Sequence, residues 1–134
     1  MNNCVFCKLA QKEIPCHQVY EDKKVLAFLD IKPHAQGHTV VIPKKHGEFM
    51  EDFTETEFLE LMKAVKLITQ KLKAELAPDG FNIGWNNGTA ACQVVPHLHL
   101  HIFPRYNSDG GGSMHSIIAN PGKMKVEEVA KLFK

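Results

Sequence analysis

Three histidines occupy alternate positions in the stretch VVPHLHLHIFPR, residues 94–105. They are His97, His99 and His101, and the residues between and after them are apolar. Strict polar and apolar alternation with a period of two predicts a β-strand with two unlike faces. The apolar face would enter a core, and the imidazoles would line the other face about 6.5–7 Å apart. Thr, Lys or Glu would serve on a merely solvated face, so three histidines favour a functional site.

One chemistry that this face could support is metal binding. Two histidines that are two residues apart on a strand can share a zinc ion, with a third ligand from elsewhere. On a straight strand His97 and His101 would lie about 13 Å apart, so a single ion could not bind all three rings. A metal-dependent hydrolase that uses part of this face is therefore one hypothesis.

The other chemistry makes His99 a nucleophile. A neutral imidazole attacks phosphorus and forms a covalent phospho- or nucleotidyl-histidine, which divides a difficult displacement into two easier steps. One flanking histidine can then donate a proton to the leaving group, and the other can fix the tautomer of the nucleophile. This hypothesis gives each of the three histidines a separate role, as their spacing requires.

A second group of candidate ligands lies near the N-terminus. Cys4 and Cys7 form a CxxC pair, which is half of a zinc site and needs two further ligands. The alternative is that both are plain thiols. The chain has four cysteines and no secretion signal, so thiols or metal ligands are favoured over a disulfide framework.

The rest of the chain must position these residues. Segments with the composition of strands are 17–22, 25–31, 38–43, 81–87 and 94–105. Thr54 and Glu57 have the spacing of a capping box, and apolar residues then recur at helical spacing as far as Leu76, which predicts one long helix. Short helices are predicted within 3–15 and 126–133. The order favours an α+β domain with a five-stranded, mainly antiparallel sheet, one long helix and one or two short helices.

Composition narrows the class of protein. The 134 residues, 44% hydrophobic and 23% charged, are typical of a single globular domain. We expect a core over 1–106, with 107–134 forming a loop and a short helix packed on it. A net charge of +1 gives no reason to expect nucleic acid or an anionic membrane as a partner. The chain has neither a signal-peptide pattern nor an apolar run of about 18 residues, so we expect a cytoplasmic protein.

The histidine stretch also resembles a known family. HLHLHIFPR is similar to the alternating histidine signature of the histidine triad, or HIT, family of nucleotide hydrolases and transferases. The similarity to its Hint-like branch extends, in order and spacing, to NCVFCKLAQKEIP, YEDKKVLAFLDIKPHAQGHTVVIPKKH and NIGWNNGTAACQVVPH. It covers most of residues 3–106. The resemblance implies the HIT fold, a homodimer with a sheet continuous across both protomers, and a hydrolase that acts on purine nucleoside phosphoramidates or related conjugates of a nucleoside monophosphate.

The resemblance also implies roles for four histidines. His99 would attack the α-phosphorus, and His101 would contact the phosphate and assist the leaving group. The backbone carbonyl of His97 would hold the ring of His99 in its reactive tautomer, and His38 would complete the surroundings of the phosphate. This chemistry requires no metal, because imidazolium and amide donors stabilise the developing charge.

Nucleotide-binding residues follow from the same resemblance. Asp30 would accept hydrogen bonds from the ribose hydroxyls. Asn86 would donate near the phosphate, and the loop from Gly88 to Gln93 would bring backbone amides towards it. The base would lie between Val5, Phe6, Leu9, Phe28, Leu29 and Ile31. Without the resemblance, Phe6, Phe28 and Ile31 would be assigned to the core and Asp30 and Asn86 to turns.

In zinc-bearing relatives, the ligands that complete the CxxC pair correspond to His46 and His97. With Cys4 and Cys7 they would form a closed Cys2His2 site, which is typical of a structural zinc ion.

Two features depart from the family pattern. Val94 occupies a position where the family often has a hydroxyl residue that contacts the phosphate, and Ala90, Ala91 and Cys92 replace a loop that is usually richer in glycine. A nucleotide- or zinc-dependent interaction module with residual catalysis therefore stays as an alternative. So does a dinucleoside-polyphosphate hydrolase or nucleotidyl transferase on the same fold.

Overall fold

The computed structural model describes residues 3–134; residues 1 and 2 of the predicted 1–106 core lie outside this range. Its helices are α1 (Val5–Ala10), α2 (Glu55–Leu76) and α3 (Val126–Lys131). Its strands are β1 (Gln18–Glu21), β2 (Val25–Leu29), β3 (Thr39–Pro43), β4 (Gly80–Gly84) and β5 (Leu100–Arg105). Short 3-10 turns occur at Met50–Asp52, Thr89–Ala91 and Met114–Ser116.

The five strands form one sheet in the order β1-β2-β3-β5-β4, and every neighbouring pair is antiparallel. Short connections join β1 to β2 and β2 to β3, whereas α2 lies between β3 and β4 in the chain. The predicted α+β class with a five-stranded antiparallel sheet and one long helix is confirmed.

The long helix α2 begins where the capping box predicts. The Thr54 hydroxyl accepts a hydrogen bond from the Glu57 amide at 3.2 Å, and the Glu57 carboxylate accepts one from the Thr54 amide at 2.8 Å. The helix ends at Ala77, whose backbone is left-handed with φ of 48°. One stripe of α2 is buried against the sheet: Leu61, Ala64, Val65, Ile68 and Leu72.

The two faces of the sheet have different roles. Facing α2 are the buried residues Val25, Ala27, Val41, Leu98, Leu100 and Ile102. On the opposite face, Leu9 of α1 packs with Leu26, Phe28, Val40 and Ile42. His101 pairs with Val40 across β3 and β5, so its ring lies on the face that α1 partly covers. The core therefore lies under α2, and the histidine chemistry lies on the α1 face.

The predicted histidine strand over 94–105 is wrong for its first six residues, because β5 begins only at Leu100. Residues 95–97 form a bend, in which the His97 amide donates to the Val95 carbonyl at 2.8 Å. The Leu98 amide donates to the Gly47 carbonyl at 2.7 Å instead of to a neighbouring strand. This bend turns His97 away from the line of the strand, so the straight-strand spacing of about 13 Å does not apply. The four other predicted strands are also shorter, since β1 is Gln18–Glu21, β2 ends at Leu29, β3 begins at Thr39 and β4 ends at Gly84.

The C-terminal part of the chain lies at the surface. Every residue of 107–134 is exposed, including the short helix that the sequence predicts near its end. Packing of this whole segment on the domain stays a prediction. Within residues 3–134, no helix is both long enough and apolar enough to cross a membrane.

Candidate active site and metal cluster

The ring of His99 is held by one hydrogen bond with a defined direction. Its Nδ1 lies 2.8 Å from the carbonyl oxygen of His97. A carbonyl can only accept, so Nδ1 carries the proton and Nε2 carries the lone pair. Phe6 contacts this ring edge-on, with the two ring centroids 5.0 Å apart. His99 itself is only 8% exposed. The buried ring therefore presents a nucleophilic nitrogen in a fixed orientation.

A chain of hydrogen bonds also fixes the tautomer of His101. The backbone amide of His34 donates to Nδ1 of His38 at 3.2 Å, so this nitrogen is an acceptor. Nε2 of His38 must then carry the proton, and it donates to Nδ1 of His101 at 2.9 Å. The remaining proton of His101 is consequently on Nε2. His101 therefore presents an N–H group at Nε2, and its ring lies next to that of His99, with the two centroids 5.1 Å apart.

Burial keeps these imidazoles neutral near pH 7. Burial and, to a smaller extent, the neighbouring histidines lower the pKa of His101 to about 4, although the Asp30 carboxylate opposes the shift. Burial also lowers the pKa of His99 and His38, and in both cases the Asp30 charge partly opposes the effect. Asp30 Oδ2 lies 3.8 Å from Nε2 of His38. A neutral His99 is the form that can act as a nucleophile.

The predicted metal ligands Cys4, Cys7, His46 and His97 are brought together. Cys4 Sγ lies 3.3 Å from Nδ1 of His97, and Cys7 Sγ lies 3.3 Å from Nδ1 of His46. The two Nδ1 atoms are 3.2 Å apart, and Cys7 Sγ is 3.6 Å from Nδ1 of His97. A tetrahedral zinc ion with ordinary bond lengths would separate its ligand atoms by roughly 3.3–3.8 Å. These four side chains could therefore hold a metal ion.

The direction of the His97 ring also fits a metal ligand. Its Nε2 donates to the Pro43 carbonyl at 2.8 Å, which leaves the Nδ1 lone pair directed at the two sulfurs. Burial and, to a smaller extent, the neighbouring Cys4 raise the pKa of the Cys7 thiol to about 11. A bound cation would reverse the effect by stabilising the thiolates. Two thiolates and two imidazoles with no open position are typical of a structural site.

Three different elements supply these ligands. Cys4 is the N-cap of α1, where its sulfur accepts a hydrogen bond from the Cys7 amide at 3.4 Å. His46 follows β3, and His97 lies in the bend before β5. His97 therefore belongs to both groups, because its ring faces the cluster while its carbonyl holds His99.

The apolar residues predicted around the base divide into two sets. Leu9 and Phe28 are buried, and Phe6 packs on Phe28 with the ring centroids 5.9 Å apart. By contrast, Val5, Leu29 and Ile31 are 40%, 37% and 79% exposed. Phe6 also packs edge-on against the ring of His99. A base-binding role for these residues stays a prediction.

Asp30 and Asn86, the polar residues predicted to contact the nucleotide, lie in different surroundings. Asp30 Oδ1 accepts a hydrogen bond from the Lys32 amide at 2.9 Å and so stabilises the turn after β2, while its other oxygen faces His38. Asn86 is exposed just beyond β4. A nucleotide contact from either residue stays a prediction.

Gln93 holds the loop in which it lies. Its side chain accepts from the Gly88 amide at 2.7 Å and donates to the carbonyls of Glu48 and Val95 at 2.8 and 3.1 Å. These bonds position the loop that precedes the histidines. Direct contact between Gln93 and a phosphate stays a prediction, and Val94 beside it is 86% exposed.

Sequence reasoning missed part of the site. A cavity of about 640 Å³ adjoins His101 and Asp30, and Phe103 and Arg105 also line it. Phe103 stacks on His101 with centroids 5.6 Å apart and ring planes 1° from parallel. The alternation that places histidines on one face of β5 places Phe103 there too, so this contact had a signal in the sequence. The role of the His34 amide had none, because a backbone group carries no side-chain signature.

The chain is similar in sequence to known proteins. The sequence model of the HIT domain matches residues 11–108. An uncharacterised HIT-like protein of Methanocaldococcus jannaschii is 50% identical over 107 residues, which are 80% of this chain and 82% of that protein. An adenosine 5'-monophosphoramidase of Schizosaccharomyces pombe is 38% identical over 109 residues, covering 81% of this chain and 79% of the relative.

Solved structures are similar as well. A HIT family protein from Bacillus anthracis superposes with a TM-score of 0.86 at 40% identity, covering 98% of this chain and 93% of the other. A zinc-bound histidine triad family protein from Mycobacterium smegmatis gives a TM-score of 0.77 at 38% identity, with coverages of 81% and 79%.

The pKa of His101 predicts how stability depends on pH. The folded-state pKa is about 4, and the unfolded value is about 6.5, so the unfolded chain binds more protons between these values. The contribution of neutral His101 to the free energy of unfolding is then fully present above about pH 6.5, and it decreases as the pH drops towards 4. Urea unfolding measures the free energy of unfolding at about pH 7 and at about pH 5. Its decrease between these two pH values should be smaller in His101→Asn than in wild type. The control variant His115→Asn changes an exposed histidine and should show the same decrease as wild type. A decrease in His101→Asn equal to that of wild type would contradict the lowered pKa of His101.

Proposed function

This chain belongs to the HIT family, and on that premise we propose that it hydrolyses nucleoside phosphoramidates or related nucleotidyl conjugates through a nucleotidyl-histidine intermediate at His99. The observation that carries the proposal is the bond from His99 Nδ1 to the His97 carbonyl, which leaves the Nε2 lone pair available. The name of the S. pombe relative, an adenosine 5'-monophosphoramidase, supports the substrate class.

In this proposal, Nε2 of His99 attacks the α-phosphorus while the bond from phosphorus to the leaving nitrogen breaks. His101 gives its Nε2 proton to that nitrogen and takes up a solvent proton in its place, so that the amine departs neutral and His101 stays a neutral imidazole. The ring of His99 then carries a positive charge, which the His97 carbonyl and the Asp30 carboxylate stabilise. In the second step, water attacks the phosphorus and releases a proton to solvent, the bond from phosphorus to Nε2 of His99 breaks, and the nucleoside monophosphate leaves.

In the same proposal, groups around His99 and His101 bind the nucleotide. Among the described residues, no Lys or Arg side chain forms an ion pair with Asp30. Its Oδ2 is therefore available to accept from a ribose hydroxyl. The base would contact Phe6 and its apolar neighbours, and Asn86 would donate to the phosphate. No metal is required for this chemistry, because the two imidazoles supply the nucleophile and the proton.

The cluster of Cys4, Cys7, His46 and His97 is proposed to hold one structural zinc ion. The donor set and its spacing fit zinc, and the M. smegmatis relative is zinc-bound. When bound, the ion would tie α1 to the bend before β5. With its ring held in the cluster, His97 would keep its backbone carbonyl aligned with Nδ1 of His99.

A homodimer is proposed as the working assembly. Strand β4 lies at one end of the sheet order, next to the strand that carries His101. Its Ile83 is 39% exposed, and pairing of this edge with a second copy would continue the sheet and cover it. Light scattering should give about twice the chain mass of 15.1 kDa, and a value equal to that mass would contradict the assembly.

A metal-dependent hydrolase is the second candidate, because one observation favours it. Ligand atoms of Asp30, His38 and His101 all lie within 4.8 Å of one another. This candidate differs from the main proposal in its response to a chelator and in lacking a covalent adduct.

The proposal predicts that His99→Ala loses at least about a thousandfold in kcat/KM for an adenosine phosphoramidate, because no other nitrogen replaces the nucleophile. His115→Ala, which changes an exposed histidine, is the matched control and should keep wild-type activity. Intact-protein mass spectrometry without acid quenching should show a nucleotidyl adduct in wild type only. Turnover abolished by chelator while the fold is retained would favour the metal hydrolase, and nucleotide binding with neither adduct nor turnover would leave an interaction module.

Metal analysis tests the zinc assignment separately. We expect about one zinc ion per purified chain and its loss in Cys4→Ser, because three ligands hold a structural ion far less well than four. Cys16→Ser is the matched control, since Cys16 lies outside the cluster, and it should keep the metal. Wild-type protein free of zinc after purification without chelators would end the assignment.

A further inference from the structure

The turn between β2 and β3, residues 30–38, carries the backbone amide that fixes the tautomer of His38. This amide belongs to His34, and it donates to Nδ1 of His38 at 3.2 Å. The two ends of the turn are joined, because the Asp30 amide donates to the His38 carbonyl at 3.0 Å. Within the turn, the His38 amide donates to the Ala35 carbonyl, also at 3.0 Å.

Two hydroxyl groups hold adjacent carbonyls of turn 30–38. The Tyr106 hydroxyl donates to the Gln36 carbonyl at 3.0 Å, and the Thr39 hydroxyl donates to the Gly37 carbonyl at 2.9 Å. Tyr106 comes directly after β5, whereas Thr39 is the first residue of β3 and is fully buried. The turn is therefore attached both to the strand that follows it and to the end of the strand that carries His101.

Gly37 allows the turn to lie close to the rest of the fold. Its φ of 87° is in the left-handed region, which favours glycine. A Cβ atom at this position would run into the side chain of Leu76 at the end of α2, and it would press on the ring of Pro104 in β5. The turn thus packs directly on both elements, with no room for a side chain between them.

The position of the His34 amide determines which proton His101 can give away. If the proton of His38 were on Nδ1, its N–H group would face the N–H group of His34, and two donors would oppose each other. Nε2 of His38 would then accept from Nδ1 of His101, and Nε2 of His101 would have no proton. The His34 amide excludes this second arrangement as long as it stays in place.

We propose that Tyr106 and Thr39 are positioning residues for the proton donor: their hydroxyls hold turn 30–38, which keeps the His34 amide on His38 and the proton of His101 on Nε2. Both residues act through the turn and through His38, and not on the reacting atoms. The catalytic consequence rests on the proposed hydrolase function, whereas the effect on the two tautomers does not.

The first test compares two adenosine monophosphate conjugates with leaving groups of similar size, benzylamine in one and 4-nitrophenol in the other. Only the amine needs a proton to leave, because 4-nitrophenolate departs as a stable anion. Tyr106→Phe and Thr39→Val should each lower kcat/KM for the benzylamine conjugate about threefold, and the double variant should lower it about tenfold. The value for the nitrophenyl ester should fall less than about twofold in all three variants.

The matched controls remove equivalent hydroxyl groups elsewhere in the fold. Tyr20→Phe removes a hydrogen bond to the Asp22 carboxylate, and Thr69→Val removes one to the Val65 carbonyl within α2. Neither control should change kcat/KM for either substrate. Equal losses for both substrates in the double variant, or the same selective loss in the controls, would overturn the inference.

The second test does not depend on turnover. Side-chain nitrogen NMR at about pH 7 should show the proton of His38 and of His101 on Nε2 in wild type. In the double variant, Nδ1 of His38 should shift towards the protonated value and Nε2 of His101 towards the unprotonated value, while His99 stays unchanged. Tyr106→Phe alone, which removes one hydroxyl and keeps the ring, should show the same change to a smaller extent.

The two tests separate the inference from the hydrolase function. If wild type hydrolyses neither conjugate but the nitrogen shifts of His38 and His101 change as expected, the hydrolase function fails and the positioning role stands. Nitrogen shifts of both rings that are identical in wild type, Tyr106→Phe and the double variant would overturn the positioning role, whatever the activity.

Discussion

The hydrogen bonds of His97 are the constraint on which the rest of the site depends. Its side chain is fully buried, with Nε2 donating to the Pro43 carbonyl and Nδ1 facing the sulfurs of Cys4 and Cys7. Its own carbonyl accepts from Nδ1 of His99. One residue thus joins a metal-ligand cluster to the proposed nucleophile, and displacement of its ring would disturb the backbone group that defines the tautomer of His99.

The sheet supplies the second part of the arrangement. The β3–β5 register places Val40 opposite His101, and it brings His38 within hydrogen-bond distance of the same ring. The buried face under α2 is mainly apolar, and it holds this register against slippage, because a shift by one residue would exchange the two faces. The other face can then carry buried imidazoles, whose pKa values are lowered by that burial. Neutral rings with fixed tautomers are a direct result.

Much of this arrangement has a signal in the sequence. Alternation in 94–105 correctly assigned Leu100 and Ile102 to the core and His101 to the opposite face, and the capping box located the start of α2. The CxxC pair and two distant histidines were matched to a cluster that the fold does assemble. These features are local patterns, or they belong to a family pattern that fixes the residue types at each position.

Other features depend on contacts between distant backbone groups, which leave no such pattern. The strand prediction extended through 94–99 because alternation continues there, whereas the Leu98 amide in fact pairs with the Gly47 carbonyl. The control of His38 by the His34 amide is of the same kind. Arg105 gave no signal either, since its partners Asn82 and Gly112 lie on separate segments. Apolar character alone would assign Ile31 to the core, although the structure leaves it 79% exposed.

The central claim is that the fold presents a neutral His99 with its proton on Nδ1 and its lone pair on Nε2. Side-chain nitrogen NMR of uniformly labelled protein at about pH 7 tests this most directly, because protonated and unprotonated ring nitrogens have well-separated shifts. The account predicts a protonated Nδ1 and an unprotonated Nε2 for His99, together with a protonated Nε2 for His101. A His99 ring that is doubly protonated, or that carries its proton on Nε2, would contradict it.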